Sequence, residues 1–220
     1  MKVIELKKTV TASNDRDAEI LRDELAKKGI LLINLMSAAG SGKTTLLSRT
    51  ITDLAGRVKI GVMEADIASD VDAKKINALG AESIQVHTDG MCHMDAGMTR
   101  QGLENMEKNG LQAVFLENIG NLICPAEFDT GAHRNVMILS VPEGDDKPLK
   151  YPLMFKKSDV LVITKKDAAP YFDFDFEAAK RRALALNPSI KIFPVSAKTG
   201  EGMDEWEKWL ISETEKHCNA

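Results

Sequence analysis

The chain has 220 residues, of which 44% are hydrophobic and 28% are charged, a composition that excludes collagen-like and wholly disordered chains. Lys and Arg total 29 against 33 for Asp and Glu, and the formal net charge of -4 argues against a protein that binds nucleic acid by neutralising phosphates. Three cysteines are too few for a disulfide framework, and no apolar run suits a signal peptide or a membrane span, so we expect a cytoplasmic protein with neither membrane nor nucleic-acid partners.

The first predicted element is a helix, for which Ser13 or Asn14 is placed to act as the N-cap and Gly29 as the end. Seven short apolar runs, many of them β-branched, then predict strands at Ile30–Met36, Val58–Met63, Ser83–Val86, Ala113–Leu116, Val136–Val141, Val160–Thr164 and Ile190–Val195. Segments rich in Ala, Leu, Lys and Glu lie between most of these runs and predict helices at Thr44–Leu54, Asp70–Leu79, Ala96–Lys108, Phe176–Leu186 and Met203–Lys216.

Strands that are apolar at nearly every position and alternate with helices are typical of a parallel sheet covered on both faces. The sequence contains no repeat and no linker, so we expect one three-layer α/β domain over residues 1–220, with a mostly parallel sheet of about seven strands. A short helical extension at about residues 13–29 precedes this domain. The polar segment Pro142–Pro152 has three prolines and a glycine and is expected to be a surface excursion, with a plain solvated loop as the alternative interpretation.

The first predicted strand leads into the sequence SAAGSGKTT, residues 37–45, which is followed at once by a helix. This is a P-loop pattern with Ser37 in place of the first glycine. Small residues let successive backbone N–H groups surround phosphates, the lysine reaches the β- and γ-phosphates, and a hydroxyl binds Mg²⁺. The predicted phosphate-binding residues are Gly40, Ser41, Gly42, Lys43, Thr44 and Thr45. The sequence therefore predicts a P-loop NTPase.

Two later segments indicate that the base is guanine. Thr164, Lys165 and Asp167 belong to a strand-end sequence, TKKD, that resembles the Asn-Lys-x-Asp motif of GTPases. A carboxylate at Asp167 accepts hydrogen bonds from the guanine N1–H and 2-amino group, which adenine does not offer. Thr164 replaces the asparagine of that motif, and we expect its hydroxyl to bond near N7 with looser guanine selectivity. After the last strand, Ser196, Ala197 and Lys198 resemble the loop that backs guanine O6.

Carboxylates at the ends of two other strands are candidates for the chemistry of hydrolysis. Asp66 follows the second predicted strand and Glu117 the fourth, and both are expected beside the P-loop. Asp66 with Thr44 is a predicted magnesium site, and Lys43, Asp66 and Glu117 are the predicted catalytic residues. For either acid alone, a helix cap or a solvent-facing loop residue is the alternative interpretation.

Cys92, His93 and Cys124 follow the third and fourth predicted strands, and loops after parallel strands emerge at the edge of the sheet where the P-loop lies. Two thiolates and one imidazole suit Zn²⁺ or Ni²⁺ and leave a coordination position open. Two chains could instead share their ligands across a symmetric interface. A nearby helix N-terminus is expected to lower the pKa of Cys92. The alternative is that both cysteines are small core residues.

Two further side chains have metal-ligating chemistry. His87 is a candidate auxiliary ligand, and Cys218 is expected to be an ordinary exposed thiol.

Taken together, these segments resemble the HypB family of GTPases, which help to load nickel into nickel–iron hydrogenase. The resemblance runs from Ile30 to Gly202. The most specific matching pieces are Glu64–Ala73, Gly90–Ala96, Glu117–Ala126 and Glu143–Lys147. It implies a G domain of the SIMIBI type, bound GTP and Mg²⁺, slow GTP hydrolysis, and a site for nickel or zinc at Cys92, His93 and Cys124.

The resemblance also implies partners. They are a homodimer in the GTP-bound state, the small zinc-containing nickel chaperone HypA and, indirectly, the hydrogenase large subunit. Lys150 is then a candidate to reach the partner's nucleotide. Met1–Asp15 lacks the cysteine cluster or histidine run that stores nickel in some members.

Three alternatives stay open. A P-loop kinase for a small molecule would use an arginine-rich lid, whereas Pro142–Pro152 contains no arginine. A urease-type accessory GTPase carries a Cys-Pro-His triplet that is not found here. A nucleotide-dependent scaffold would use its thiols structurally.

Overall fold

The computed structural model describes residues 6–65, 71–88, 90–106 and 110–218. Seven strands in these residues form one sheet in the order β3-β2-β4-β1-β5-β6-β7, and every neighbouring pair is parallel. The strands are Leu31–Ser37 (β1), Ile60–Ala65 (β2), Glu82–Val86 (β3), Ala113–Glu117 (β4), Arg134–Ser140 (β5), Val160–Thr164 (β6) and Lys191–Pro194 (β7). The predicted α/β fold with a mostly parallel seven-stranded sheet is confirmed, and each predicted strand lies within two residues of its observed bounds.

The helices of the described residues cover both faces of this sheet. They are Leu6–Lys27 (α1), Lys43–Asp53 (α2), Val71–Ala78 (α3), Ala96–Glu104 (α4), Lys147–Lys150 (α5), Pro152–Lys157 (α6), Phe176–Leu186 (α7) and Met203–Cys218 (α8). Leu31, Ile33 and Leu35 of β1 pack in one apolar cluster with residues of α2 and α8, whereas Leu32 packs with residues of α1 and α4 on the opposite side. Strands β1, β2 and β6 are buried at every position because both faces are covered.

One local prediction and one alternative interpretation differ from the structure. Helix α1 begins at Leu6, so Ser13 and Asn14 lie inside it and neither is its N-cap. The segment Pro142–Pro152 is a series of short helical turns rather than a plain loop. Its prolines lie at the first positions of these turns, where a missing N–H costs nothing. The prolines of this segment therefore indicate the starts of short helices.

The carboxyl ends of the parallel strands lie at one edge of the sheet, and the loops that leave them carry the candidate site. In the part of the chain that the structure describes, no helix is both long and apolar enough to cross a lipid bilayer.

Candidate nucleotide and metal site

The loop between β1 and α2 has the backbone of a phosphate cradle. Gly40 and Gly42 take left-handed φ angles of 72° and 97°, which residues with a Cβ rarely adopt, and Gly42 is the N-cap of α2. Ser37, which replaces the first glycine of the pattern, is fully buried. Its hydroxyl donates to the Ala38 carbonyl and accepts from Ser41 Oγ at 2.6 Å and from Lys43 Nζ at 2.8 Å. The serine is therefore an integral part of the loop.

A cavity of about 460 Å³ opens over this loop. Its lining includes Ala39, Gly40, Gly42, Lys43, Thr44, Thr45, Glu64, Ala65, Lys75, Glu117, Asn118, Gly120 and Lys165. The structure thus brings the predicted phosphate-binding residues other than Ser41 to one wall, whereas Ser41 is buried beneath it. The free end of α2 points its backbone N–H groups at this space, which favours bound phosphate.

Two carboxylates enter the cavity from neighbouring strands. Glu117 accepts a hydrogen bond from Thr44 Oγ1 at 3.0 Å, and Glu64 lies directly beside Glu117 in the register of β2 and β4. Glu64 is only 2% exposed. Sequence analysis assigned it no role, although an acidic residue within an otherwise apolar strand could have identified it as a functional residue. These oxygen atoms could hold Mg²⁺, which prefers hydroxyl and carboxylate ligands. The predicted ligand Asp66 lies outside the described residues.

The segment after β6 is fastened to the P-loop. Lys165 has a φ of 58°, and its Nζ donates to the Gly40 carbonyl at 2.7 Å. Thr164 Oγ1 donates to the Ser41 carbonyl at 2.6 Å, and Thr164 is only 4% exposed. This bond uses the single hydroxyl proton, so in this structure Thr164 braces the P-loop, and its contact with a base N7 stays a prediction.

The predicted base-reading carboxylate is positioned by the second guanine segment. Ser196 Oγ donates to Asp167 Oδ1 at 2.6 Å and accepts from the Thr199 N–H at 3.1 Å. Ala197 lies in the same turn, and Lys198 is exposed beside it. The two segments that sequence analysis selected from distant parts of the chain therefore meet at Asp167.

The two thiols of the candidate metal site lie next to each other. Cys92 Sγ is 2.8 Å from Cys124 Sγ and 3.8 Å from His93 Nδ1. Two thiolates bound to one tetrahedral ion at about 2.3 Å each are separated by roughly 3.8 Å, so an ion must spread this pair. Consistent with this, the described residues contain no group of three or more His, Cys, Asp or Glu side chains already arranged around an ion site.

His93 is held differently from the thiols. It is only 4% exposed, and its ring stacks on Phe128 with centroids 3.7 Å apart. Burial lowers its pKa, which favours the neutral imidazole that binds metals. Its Nε2 atom is buried and has no hydrogen-bond partner among the described residues.

The expected lowering of the Cys92 pKa is wrong. The hydrogen bond with Cys124, reinforced by burial, raises the pKa of the Cys92 thiol above its usual value. Helix α4 has its N-cap at Asp95, three residues beyond Cys92, and the Asp95 side chain accepts from the Met98 N–H. The Cys218 thiol donates to the Gly29 carbonyl, and His87 is an exposed residue just after β3.

The segment Glu117–Cys124 runs from the nucleotide cavity to the thiol pair. Asn118, which is 1% exposed, accepts from the Met94 N–H at 3.2 Å, directly after His93. Its amide donates to Asn34 Oδ1 at 3.0 Å inside the sheet. One buried side chain thus contacts both the loop that carries Cys92 and the core under the P-loop. Sequence analysis named this asparagine only as part of a motif.

Two further contacts lie along the same segment. Asn121 donates to the Cys92 carbonyl at 3.2 Å and accepts from the Cys124 N–H at 3.4 Å. Gly120 passes so close to the P-loop that a Cβ there would lie 2.9 Å from backbone atoms of Ala39. A shift of this segment on binding a γ-phosphate would therefore move both loops that carry the thiols.

Comparisons with known proteins agree with this geometry. The family model described as CobW/HypB/UreG, nucleotide-binding domain, matches residues 9–194. The hydrogenase maturation factor HypB of Rhizobium leguminosarum bv. viciae is 42% identical over 209 residues, which cover 95% of this chain and 70% of that protein. The crystal structure of HypB from Archaeoglobus fulgidus superposes with a TM-score of 0.86 at 38% identity, covering 92% of this chain and 99% of that one.

A second solved structure contains a metal. The crystal structure of HypB from Helicobacter pylori in complex with nickel superposes with a TM-score of 0.87 at 32% identity. The superposition covers 93% of this chain and 96% of that chain.

Proposed function

The chain belongs to the CobW/HypB/UreG family and, within it, to HypB, and from this premise we propose that it is a GTP-dependent nickel-delivery protein for hydrogenase maturation. In this proposal, GTP is bound and slowly hydrolysed, and nickel is held as cargo and released to a partner. The observation that carries the proposal is the segment Glu117–Cys124, which lines the nucleotide cavity at one end and contributes a thiol at the other.

Recognition of GTP is assigned to the residues around Asp167. Its carboxylate is oriented by Ser196 and accepts from the guanine N1–H and 2-amino group. Adenine would leave this acceptor unsatisfied, and unsatisfied buried acceptors are costly. Lys165 packs beside the P-loop and supplies the apolar stem over which a base can lie. The bracing by Thr164 supports the loop.

Hydrolysis is assigned to Lys43 and the strand-end acids. Lys43 neutralises charge on the β- and γ-phosphates, and Glu117 or Asp66 orients the attacking water. The hydroxyl of Thr44 with the carboxylates of Glu64, Asp66 and Glu117 would hold Mg²⁺, which when bound shields the phosphate charge. Thr44 and Glu117 already contact each other, which fits a shared ion between them.

Nickel is the proposed cargo of Cys92, Cys124 and His93, and zinc has the same donor preference. Support comes from the near contact of the two thiols, from the His93 Nδ1 atom 3.8 Å from Cys92 Sγ, and from the nickel complex of the H. pylori relative. Three ligands leave a coordination position through which a partner can take the ion. Binding displaces the thiol protons, so nickel affinity rises with pH.

The proposed partners are a second copy of this chain in the GTP state, a HypA-type nickel chaperone, and the hydrogenase large subunit reached indirectly, all in the cytoplasm. Lys150 is the proposed residue that reaches the second copy. Its side chain is 57% exposed and pairs with Asp146, an exposed ion pair of a kind that contributes little and is easily exchanged. The adjacent Leu149 is 65% exposed.

A nickel titration of the purified chain by equilibrium dialysis tests the cargo assignment. The parent is expected to bind one nickel per chain with a thiolate-to-nickel absorption band, and the double variant Cys92→Ser, Cys124→Ser is expected to lose both. Cys218→Ser is the matched control because its thiol donates to the backbone carbonyl of Gly29, and it should bind like the parent. Stoichiometric nickel in the double variant would contradict the assignment.

A further inference from the structure

Helix α1 reaches both loops that carry the proposed nickel ligands. Asn14, in the interior of this helix, donates from Nδ2 to the Asp129 carbonyl at 2.8 Å. Its Oδ1 accepts from the Ala96 N–H at 3.0 Å. Ala96 lies three residues after His93, and Asp129 lies five residues after Cys124. One side chain on α1 therefore joins the backbones of the two loops.

The amide is suited to this double contact because it carries a donor and an acceptor on one short side chain. Asparagine has a low helix propensity, since its side chain competes for backbone hydrogen bonds. Here both polar atoms bond outside their own helix, and that accounts for an asparagine in the interior of α1. The sequence pattern that suggested an N-cap at this position reflected a tertiary contact instead.

Neighbouring contacts fix one side of this link. Both oxygens of Asp129 accept from Arg22 Nη2 at 2.7 Å, and Arg22 Nε donates to the Ala132 carbonyl at 3.0 Å. Phe128, the residue before Asp129, stacks on His93. The backbone position of residues 128–129 thus bears on the imidazole as well as on the loop that carries Cys124.

We propose that Asn14 is a positioning residue for the metal site and keeps the backbones of the Cys92–His93 loop and the Cys124 loop close enough for their side chains to reach one ion. The inference rests on the proposed function of these three ligands. Asn14 does not touch the ion, and it acts through the backbones of Ala96 and Asp129.

Three variants separate this role from general docking of the helix. Asn14→Leu keeps the size and favours the helix but removes both bonds. Asn14→Asp keeps the acceptor for the Ala96 N–H and loses the donor to Asp129. Arg100→Gln is the matched control: it breaks the ion pair at 2.7 Å between α4 and Glu24 of α1 without touching either thiol loop. Thermal unfolding of each variant reports how much of the docking is lost.

Nickel alone, added to the nucleotide-free chain, is the probe, and the thiolate-to-nickel absorption band is the readout. Loss of an outer-shell partner of a metal site typically lowers metal affinity about 10–100-fold. We expect such a loss for Asn14→Leu together with a changed band, an intermediate loss for Asn14→Asp, and a change within about twofold for Arg100→Gln, since it leaves the ligand loops in place.

The outcomes distinguish the two levels of the proposal. If Asn14→Leu has the same band position and the same nickel affinity as the parent, the inference is overturned and the proposed function is not. An equal loss in Asn14→Leu and Arg100→Gln, in step with unfolding temperature, also overturns it, because the helix then acts only through stability. A parent without a thiolate-to-nickel band overturns the proposed function and the inference with it.

Discussion

The nucleotide cradle and the thiol pair lie at the same edge of the sheet, yet they are held in different ways. In the cradle, Ser37 makes three side-chain hydrogen bonds, and Thr164 and Lys165 each bond a P-loop carbonyl. At the thiol pair, Cys92 is exposed and Cys124 half-buried, and the imidazole stacks against Phe128 and contacts Cys92 Sγ through Nδ1 at 3.8 Å.

This difference suits two kinds of ligand. A cradle whose backbone donors are already fixed loses little conformational freedom when it binds phosphate. The thiol pair must spread by roughly 1 Å to hold one ion, because two thiolates on a tetrahedral ion lie farther apart than 2.8 Å. Movement of the segment Glu117–Cys124, which carries one of these thiols, is therefore expected to change metal affinity.

The largest effect is expected at the base. In Asp167→Asn, an amide donor faces the guanine N1–H and 2-amino donors, whereas the C2 carbonyl of xanthosine triphosphate can accept from it. Losing one set of bonds and gaining another is expected to change the preference for GTP over xanthosine triphosphate by about 1,000-fold. Competition binding of the two nucleotides measures this ratio, and an unchanged ratio would show that Asp167 does not read the base.

A smaller loss is expected at the phosphates. Lys43→Ala removes a charged contact to the β- and γ-phosphates and leaves the core intact, so GTP affinity is expected to fall about 100-fold. Phosphate release from GTP should fall with it. Lys191→Ala, at the exposed amino end of β7, is the control for loss of a positive charge and should bind GTP like the parent. Equal GTP affinity in Lys43→Ala and Lys191→Ala would exclude the P-loop assignment.

The smallest effect tests the bracing role of Thr164. Thr164→Val removes the bond to the Ser41 carbonyl while keeping the side-chain volume, and an unpaired buried acceptor costs about 1–3 kcal/mol. We expect GTP and xanthosine triphosphate affinities to fall alike, by about 5-fold if 1 kcal/mol of this cost bears on binding, with their ratio unchanged. Nucleotide titration checks both values, and a shift in the ratio would mean that Thr164 contacts the base.

Much of the fold was predictable because its signals are local. Each buried strand is apolar at nearly every position, and the P-loop combines small residues, a lysine and a hydroxyl within a short stretch. The meeting of Asp167 with Ser196 followed from two motifs at strand ends. These features depend on neighbours in the sequence or on the geometry common to all parallel sheets.

The residues that sequence analysis missed act across the chain. Asn14, Asn118 and Asn121 each bond a backbone group in another loop, and nothing in their own neighbourhood identifies the partner. The raised pKa of Cys92 has the same origin, since it depends on the approach of Cys124 from a separate loop. From sequence alone, an asparagine indicates a helix cap or a turn. Its hydrogen bond to a distant loop therefore cannot be predicted from its neighbours in the sequence.

The most direct test of the central claim is a double titration of nickel and nucleotide on one protein. The shared segment Glu117–Cys124 requires that a non-hydrolysable GTP analogue and GDP give different nickel affinities, by about 5–150-fold for an ordinary coupling. Linkage requires nickel to change the ratio of analogue to GDP affinity by the same factor. We expect the two factors to be equal. In the double variant Cys92→Ser, Cys124→Ser we expect neither effect. Identical nickel affinity in the GDP and analogue states would contradict the account.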